Sequence, residues 1–234
     1  MRSTSFFKGI FWLLLLNFLV KPAWIFLIDR QVQNTIGQEA YGHYFAVLNL
    51  SYIFFFFSDV GLTNALTNRL AGGEAPGLLA FLRLKLALLG LYLALFALTA
   101  WLTRVHDWTL AAYVIAIQIA TSFFVFLRAV VAARQFFLAD AWFSVIDKFL
   151  MILFCGTLLY QPGWMGAISL QRFLQWQLLA TALSITAILW FIGAKGWLKP
   201  RPVNKMPALF RSTLPYAGIV LLMSVHDRLD GFLL

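Results

Sequence analysis

Leu86-Ala87-Leu88-Leu89-Gly90-Leu91-Tyr92-Leu93-Ala94-Leu95-Phe96-Ala97-Leu98 carries no charge and no alternation of polar with apolar residues. A membrane β-strand alternates its two faces within segments of about ten residues. Neither this run nor Ile53-Phe54-Phe55-Phe56-Phe57 does so. The run therefore reads as a helix buried in hydrocarbon, which about 20 apolar residues suffice to cross. It lies within a stretch at about 84–102, and similar stretches lie at about 6–28, 41–59, 110–131, 142–160 and 170–192, with a last one from 214 onward. The second has room to continue as helix to Leu70. Gly72-Gly73-Glu74-Ala75-Pro76-Gly77 and Gln161-Pro162-Gly163 are the strongest breaks between them.

Composition agrees. The chain is 62% hydrophobic and 12% charged, with mean hydropathy +0.84, far more apolar than a soluble core needs. The expected fold class is an all-α, polytopic transmembrane helical bundle. A six-helix lobe occupies 1–194, a basic cytoplasmic linker 195–213, and the first helix of a second, incomplete lobe 214–234. A naturally short protein of seven spans is the alternative. The N-terminus has Arg2 and Lys8 before an apolar run but Lys21-Pro22 where a cleavage site would lie, so it reads as a retained first span.

The net charge of +9 sits mostly in the short connections, which argues for membrane topology rather than nucleic-acid binding. With the N-terminus cytoplasmic, that side collects Arg2, Lys8, Arg69, Arg83, Lys85, Arg128, Arg134, Lys195, Lys199, Arg201, Lys205 and Arg211. The other side keeps Arg30, Arg104 and Arg172. The cations of 195–211 are expected near anionic headgroups. One cysteine, Cys155, and three dispersed histidines, His43, His106 and His226, offer neither a disulfide nor a metal-ligand spacing, and no cofactor is expected. No phosphate loop, HExxH or nucleophile elbow is present, so no enzyme is expected either.

Charge within the spans is the functional signal, because an ionisable group in lipid costs about 2.5–3.5 kcal/mol even on lenient scales. Asn17 and Lys21 are four apart on one helical face, and Pro22 should kink the helix and free a carbonyl there. Lys21 reads as a cavity cation facing an anionic headgroup, or as a lysine snorkelling to the interface. Tyr41, Tyr52 and Asp59, with Asn49 nearby, form a polar stripe; Asp59 reads equally as a hydrated residue at the helix end. Asp147 and Lys148 diverge by about 100° and are not expected to pair. A shallow bridge, with Arg128 reaching Asp147, is the favoured reading there. His226, Asp227 and Asp230 share a face of the last span, which suits proton or cation coupling or an interhelical ion pair. The spans holding Lys85 and Arg172 carry little further charge and read as lipid-facing or packing helices.

Gly37-Gln38-Glu39-Ala40-Tyr41-Gly42-His43-Tyr44, followed by Asp59-Val60-Gly61-Leu62-Thr63-Asn64-Ala65 and Arg69, resembles the N-terminal part of polysaccharide biosynthesis flippases. These belong to the multidrug/oligosaccharidyl-lipid/polysaccharide exporter superfamily. Leu127-Arg128-Ala129 through Ile146-Asp147-Lys148, and Leu214-Pro215-Tyr216 before Asp227 and Asp230, are similar to later parts of that family. The resemblance implies two six-helix lobes around a central cavity, of which this chain would hold one and the start of the other. It implies transfer of an undecaprenyl-pyrophosphate-linked oligosaccharide across a bacterial inner membrane, alongside polysaccharide polymerase or ligase machinery. The headgroup would meet Lys21, with Asn17, Arg30 and Arg228 as further candidates, and Asp227, Asp230, His226 and Asp59 would serve ion coupling. A cation-coupled drug antiporter of the same superfamily and a non-transporting membrane assembly subunit are the alternatives.

Overall fold

The computed structural model describes residues 2–74, 77–160, 168–197 and 206–233, without the side chains of 2–6, 206, 207 and 223–233. It is all helix among these residues. The helices are α1 (Arg2–Ala23), α2 (Arg30–Ile36), α3 (Gln38–Ile53), α4 (Leu62–Ala71), α5 (Leu78–Leu102), α6 (Trp108–Ala133), α7 (Phe137–Phe143), α8 (Ile146–Tyr160), α9 (Leu170–Ala194) and α10 (Met206–Leu233). Among the described residues, five stretches are long and apolar enough to cross a bilayer: Phe7–Ile36, Leu78–Leu102, Trp108–Ala133, Phe137–Tyr160 and Leu170–Ala194. The protein is thus a multi-pass membrane bundle.

Two expected spans differ from simple rods. The second breaks at Phe54 into the 3-10 turn Phe55–Ser58, with left-handed backbone at Val60 (φ 45°) and Gly61 (φ 75°) before α4 begins. In the first span Pro22 does not end the helix. The chain instead widens into a π-helix over Trp24–Asp29 and resumes as α2, which absorbs the hydrogen bond that proline removes.

α6 is the hub, packing on α9, α4, α3, α7 and α5, while α1 lies along α7 and α8. Two large apolar cores stack along the bundle, beside a small one of Leu16, Ala141 and Val145 where α1 meets α7. One holds Trp24, Ile28, Tyr44, Tyr92, Phe96 and Phe173; the other, toward the end bearing Gly72 and Ala133, holds Leu62, Leu66, Phe81, Phe126, Leu127 and Ile192. The Lys85 helix is no bystander, since Phe81, Leu84, Leu88, Tyr92 and Phe96 all bury one face of it.

Candidate functional site

Polar side chains gather in two places between these cores. The first is the break itself. Interrupting a helix exposes carbonyls that would otherwise be bonded, and in hydrocarbon each needs a donor. Tyr92 donates its hydroxyl to the Ser51 carbonyl at 3.2 Å, and Lys85 Nζ donates to the Ser58 carbonyl at 2.9 Å. Lys85 Nζ also lies 2.9 Å from Asp59 Oδ1 and donates to Ser122 Oγ at 2.8 Å. Its three N–H donors therefore have three acceptors. Ser58 Oγ and Ser122 Oγ are 2.8 Å apart. Asp59 in turn accepts the Thr63 amide at 3.1 Å and the Thr63 hydroxyl, capping the start of α4. The Phe126 ring lies 5.8 Å from the ammonium. Lys85 is 1% exposed and Asp59 19%.

This corrects the placement of Lys85 among the interfacial cations. Arg83 is exposed and Lys85 buried although they are two residues apart, because two helical steps of 100° put them on nearly opposite faces. Lys85 stands about 10 Å inside the start of α5 at 1.5 Å per residue. The signal that could have found it is Asp59-Val60-Gly61, a capping carboxylate beside a turn glycine at the end of a Phe run. Such a break needs a buried donor from another span.

The second place is a cavity of about 120 Å³ lined by Tyr44, Leu48, Tyr52, Val114, Ile117, Gln118, Thr121, Lys148 and Gln177. Gln177 Oε1 is buried there without a hydrogen-bond partner, and Gln118 is 5% exposed. Lys148 lies about 17 Å along the chain from either end of the stretch Phe137–Tyr160. Contrary to the expectation for neighbours, Lys148 Nζ does pair with Asp147 Oδ2, at 3.4 Å, because its long stem curls back across the angle between them. Its ammonium also stands 5.4 Å from the Trp24 ring, which stacks on Phe173. Asp29, at the end of the π-helix, accepts the Tyr41 hydroxyl at 3.1 Å on the same side. The α9 helix, expected only to pack or face lipid, supplies Gln177 as well as packing.

Other expected residues go elsewhere. Arg128 does not reach Asp147; its Nε donates to Asp140 Oδ1 at 2.6 Å across the α6–α7 turn. Asn17 donates to Ser144 Oγ at 2.7 Å and fastens α1 to the α7–α8 junction. Lys21 and Arg30 are exposed, outside both clusters. Of the polar stripe, Tyr41 meets Asp29, Tyr52 lines the cavity, Asp59 meets Lys85, and Asn49 is exposed. The side chains of His226, Asp227, Arg228 and Asp230 lie outside the described residues. No metal-ligating group of three His, Cys, Asp or Glu occurs among the described residues.

α10 seats on the break. A Cβ placed on Gly61 would fall 2.7 Å from the Ala217 nitrogen, so only glycine satisfies both the left-handed backbone and this approach. Comparison of the chain with protein-family models, with curated proteins and with solved structures finds no match.

Proposed function

We propose that this chain is a transporter lobe for an anionic lipid-linked oligosaccharide, working without covalent chemistry on its cargo. The observation that carries this reading is the interrupted second span with the Lys85–Asp59 pair buried at its break. Discontinuous helices with polar groups at mid-membrane are how secondary transporters build substrate and ion sites. Intramembrane charge is a functional feature by default.

Lys21 and Arg30 enter through the same reading. Both are exposed on the first span; an ammonium so placed is costly against acyl chains but favourable if a second lobe covers that face with a wet cleft. The pyrophosphate would then be bound between lobes, and the Lys148 cavity, far too small for a glycan, would hold water or a small ion that couples to movement. Asp59 would be the coupling carboxylate, its proton or ion exchanged as Lys85 is released.

Reconstitution into liposomes with a fluorescent lipid-linked oligosaccharide tests this, leaflet position being read by an impermeant lectin. Transfer that depends on Lys21 and Asp59 is the expected result. Rates unchanged in both Lys21→Ala and Asp59→Asn would remove the proposal. The aromatic surroundings of Lys148, with Asp29 and Asp147 near, favour a second reading as a cation antiporter. Uptake of an organic dye cation against a proton gradient in the same liposomes would support it instead.

A further inference from the structure

The cavity beside Lys148 is lined more selectively than water alone requires. Its volume is about 120 Å³. A cavity of about 150 Å³ takes benzene, so this one suits a group of four or five non-hydrogen atoms. Gln118, Val114 and Ile117 on its lining are all buried. Yet among the described residues no hydrogen bond engages the side chains of Gln118 or Thr121, and Gln177 Oε1 is buried without a partner. Other threonines of the bundle do find acceptors: Thr99, Thr181 and Thr186 each donate to the carbonyl four residues back. A primary amide can donate twice and accept twice, and leaving those bonds unmade in a buried place is unfavourable. The lining therefore asks for an occupant that both donates and accepts.

Charge narrows the choice. Lys148 supplies an ammonium, but Asp147 stands 3.4 Å from it, the Trp24 ring covers it at 5.4 Å, and Asp29 lies within its electrostatic reach. A free anion would meet two carboxylates as well as the ammonium, and a cation would meet the ammonium itself. A neutral dipolar group meets neither penalty. Leu48, Val114 and Ile117 make part of the lining apolar, and such a mixture of apolar wall with a few convergent polar groups is the usual make-up of a small-ligand site. A group with a carbonyl, an N–H and a methyl uses all of it. The carbonyl accepts from Gln118, Thr121 or Lys148, the N–H donates to an amide oxygen of Gln118 or Gln177, and the methyl packs on the three aliphatic side chains. Those four heavy atoms are an acetamido group.

We infer that this cavity seats the acetamido group of an N-acetylated sugar, the ring remaining outside, with water filling it when no cargo is bound. The inference rests on the proposed carriage of a lipid-linked oligosaccharide and names a sugar within it. Lys21, offered there to the pyrophosphate, precedes Trp24 by one helical turn, so the sugar joined to the pyrophosphate is the nearest candidate.

Saturation-transfer NMR on the full 234-residue chain in detergent tests it, with N-acetylglucosamine, glucose and an N-acetylated amino acid as probes. The acetyl methyl protons of N-acetylglucosamine should take up the most saturation. Glucose should bind at least about tenfold more weakly, the equivalent of one or two neutral hydrogen bonds. Gln118→Leu and Thr121→Val, close in shape to the residues they replace, should each weaken N-acetylglucosamine by about three- to tenfold. An unfolding midpoint at or above that of the unaltered chain shows that these variants fold. Equal binding of the two sugars, a methyl no more saturated than the ring protons, or N-acetylglucosamine unaffected in the double variant overturns the inference. So does equally tight binding of the N-acetylated amino acid, which would make this a site for small amides of any source. Transfer of an acetamido-free lipid-linked oligosaccharide at an undiminished, Lys21-dependent rate would remove this inference and leave the transport reading. Selective N-acetylglucosamine binding with transfer indifferent to Lys21→Ala and Asp59→Asn would keep the site and remove that reading.

Discussion

The break at Asp59 and the cavity at Lys148 both hold a lysine beside an aspartate inside the bundle, yet they are built oppositely. Lys85 is sealed, and each of its donors has an acceptor within 2.9 Å. Lys148 is about a third exposed, its carboxylate is 3.4 Å away, and a neighbouring amide oxygen has no partner. A fully satisfied buried network rigidifies; a partly satisfied one leaves groups to be met by something else. The first place therefore fixes the fold of the break for as long as Lys85 holds Asp59, and the second is where an occupant can act without parting that pair.

The contrast can be broken most sharply at Lys85. Lys85→Met leaves Asp59 and the Ser58 carbonyl without their donor, and loss of one partner of a buried pair costs about 3–5 kcal/mol. Thermal unfolding in detergent should show it, with Asp59→Asn in the same chain restoring a good part. A loss comparable to that of Lys148→Met would erase the distinction, since the more exposed pair is worth about 1 kcal/mol or less.

Gly61→Ala should rank next, at about 2 kcal/mol, because it combines left-handed strain with a contact of 2.7 Å to the Ala217 nitrogen. Faster proteolysis within α10 would accompany it, whereas Gly42→Ala, which meets nothing within 4 Å, should be near neutral. Tyr92→Phe removes the donor to the Ser51 carbonyl and should cost about 1 kcal/mol in the same unfolding measurement.

Gln177→Leu is the smallest in stability and the most telling. Replacing a buried, unpartnered acceptor should leave the unfolding midpoint unchanged or raise it by up to about 1 kcal/mol equivalent. Transport in liposomes should nevertheless fall if the cavity's occupant takes part. Lower stability would mean instead that Gln177 serves packing.

Much of this was legible along the chain. The apolar runs around 86–98, 110–131 and 170–192 correspond to α5, α6 and α9, because apolar length alone decides what a bilayer will hold. Asp59 stood out as a carboxylate in a Phe-rich run. Lys85 did not, because a lysine two residues after Arg83 near a span's start has the pattern of an interfacial cation. What separates them is which face of α5 meets α4 and α6, a relation between residues 26 and 37 positions apart. Lys148 lies near the start of the expected span 142–160, whereas the membrane-length stretch begins at Phe137 and includes a short helix before α8. Arg128 found Asp140 rather than Asp147 because the α6–α7 turn folds it back on the nearer carboxylate.

The sequence by itself determined that this protein is a bundle of membrane helices, since hydrocarbon accepts only chains whose apolar length and internal hydrogen bonding allow it. It also determined that some charge must be housed inside. Which charges are housed, and with whom, was decided only in three dimensions. A buried ion is stable there only where donors and acceptors from several helices converge within hydrogen-bonding distance, and that convergence is a property of packing, not of order along the chain.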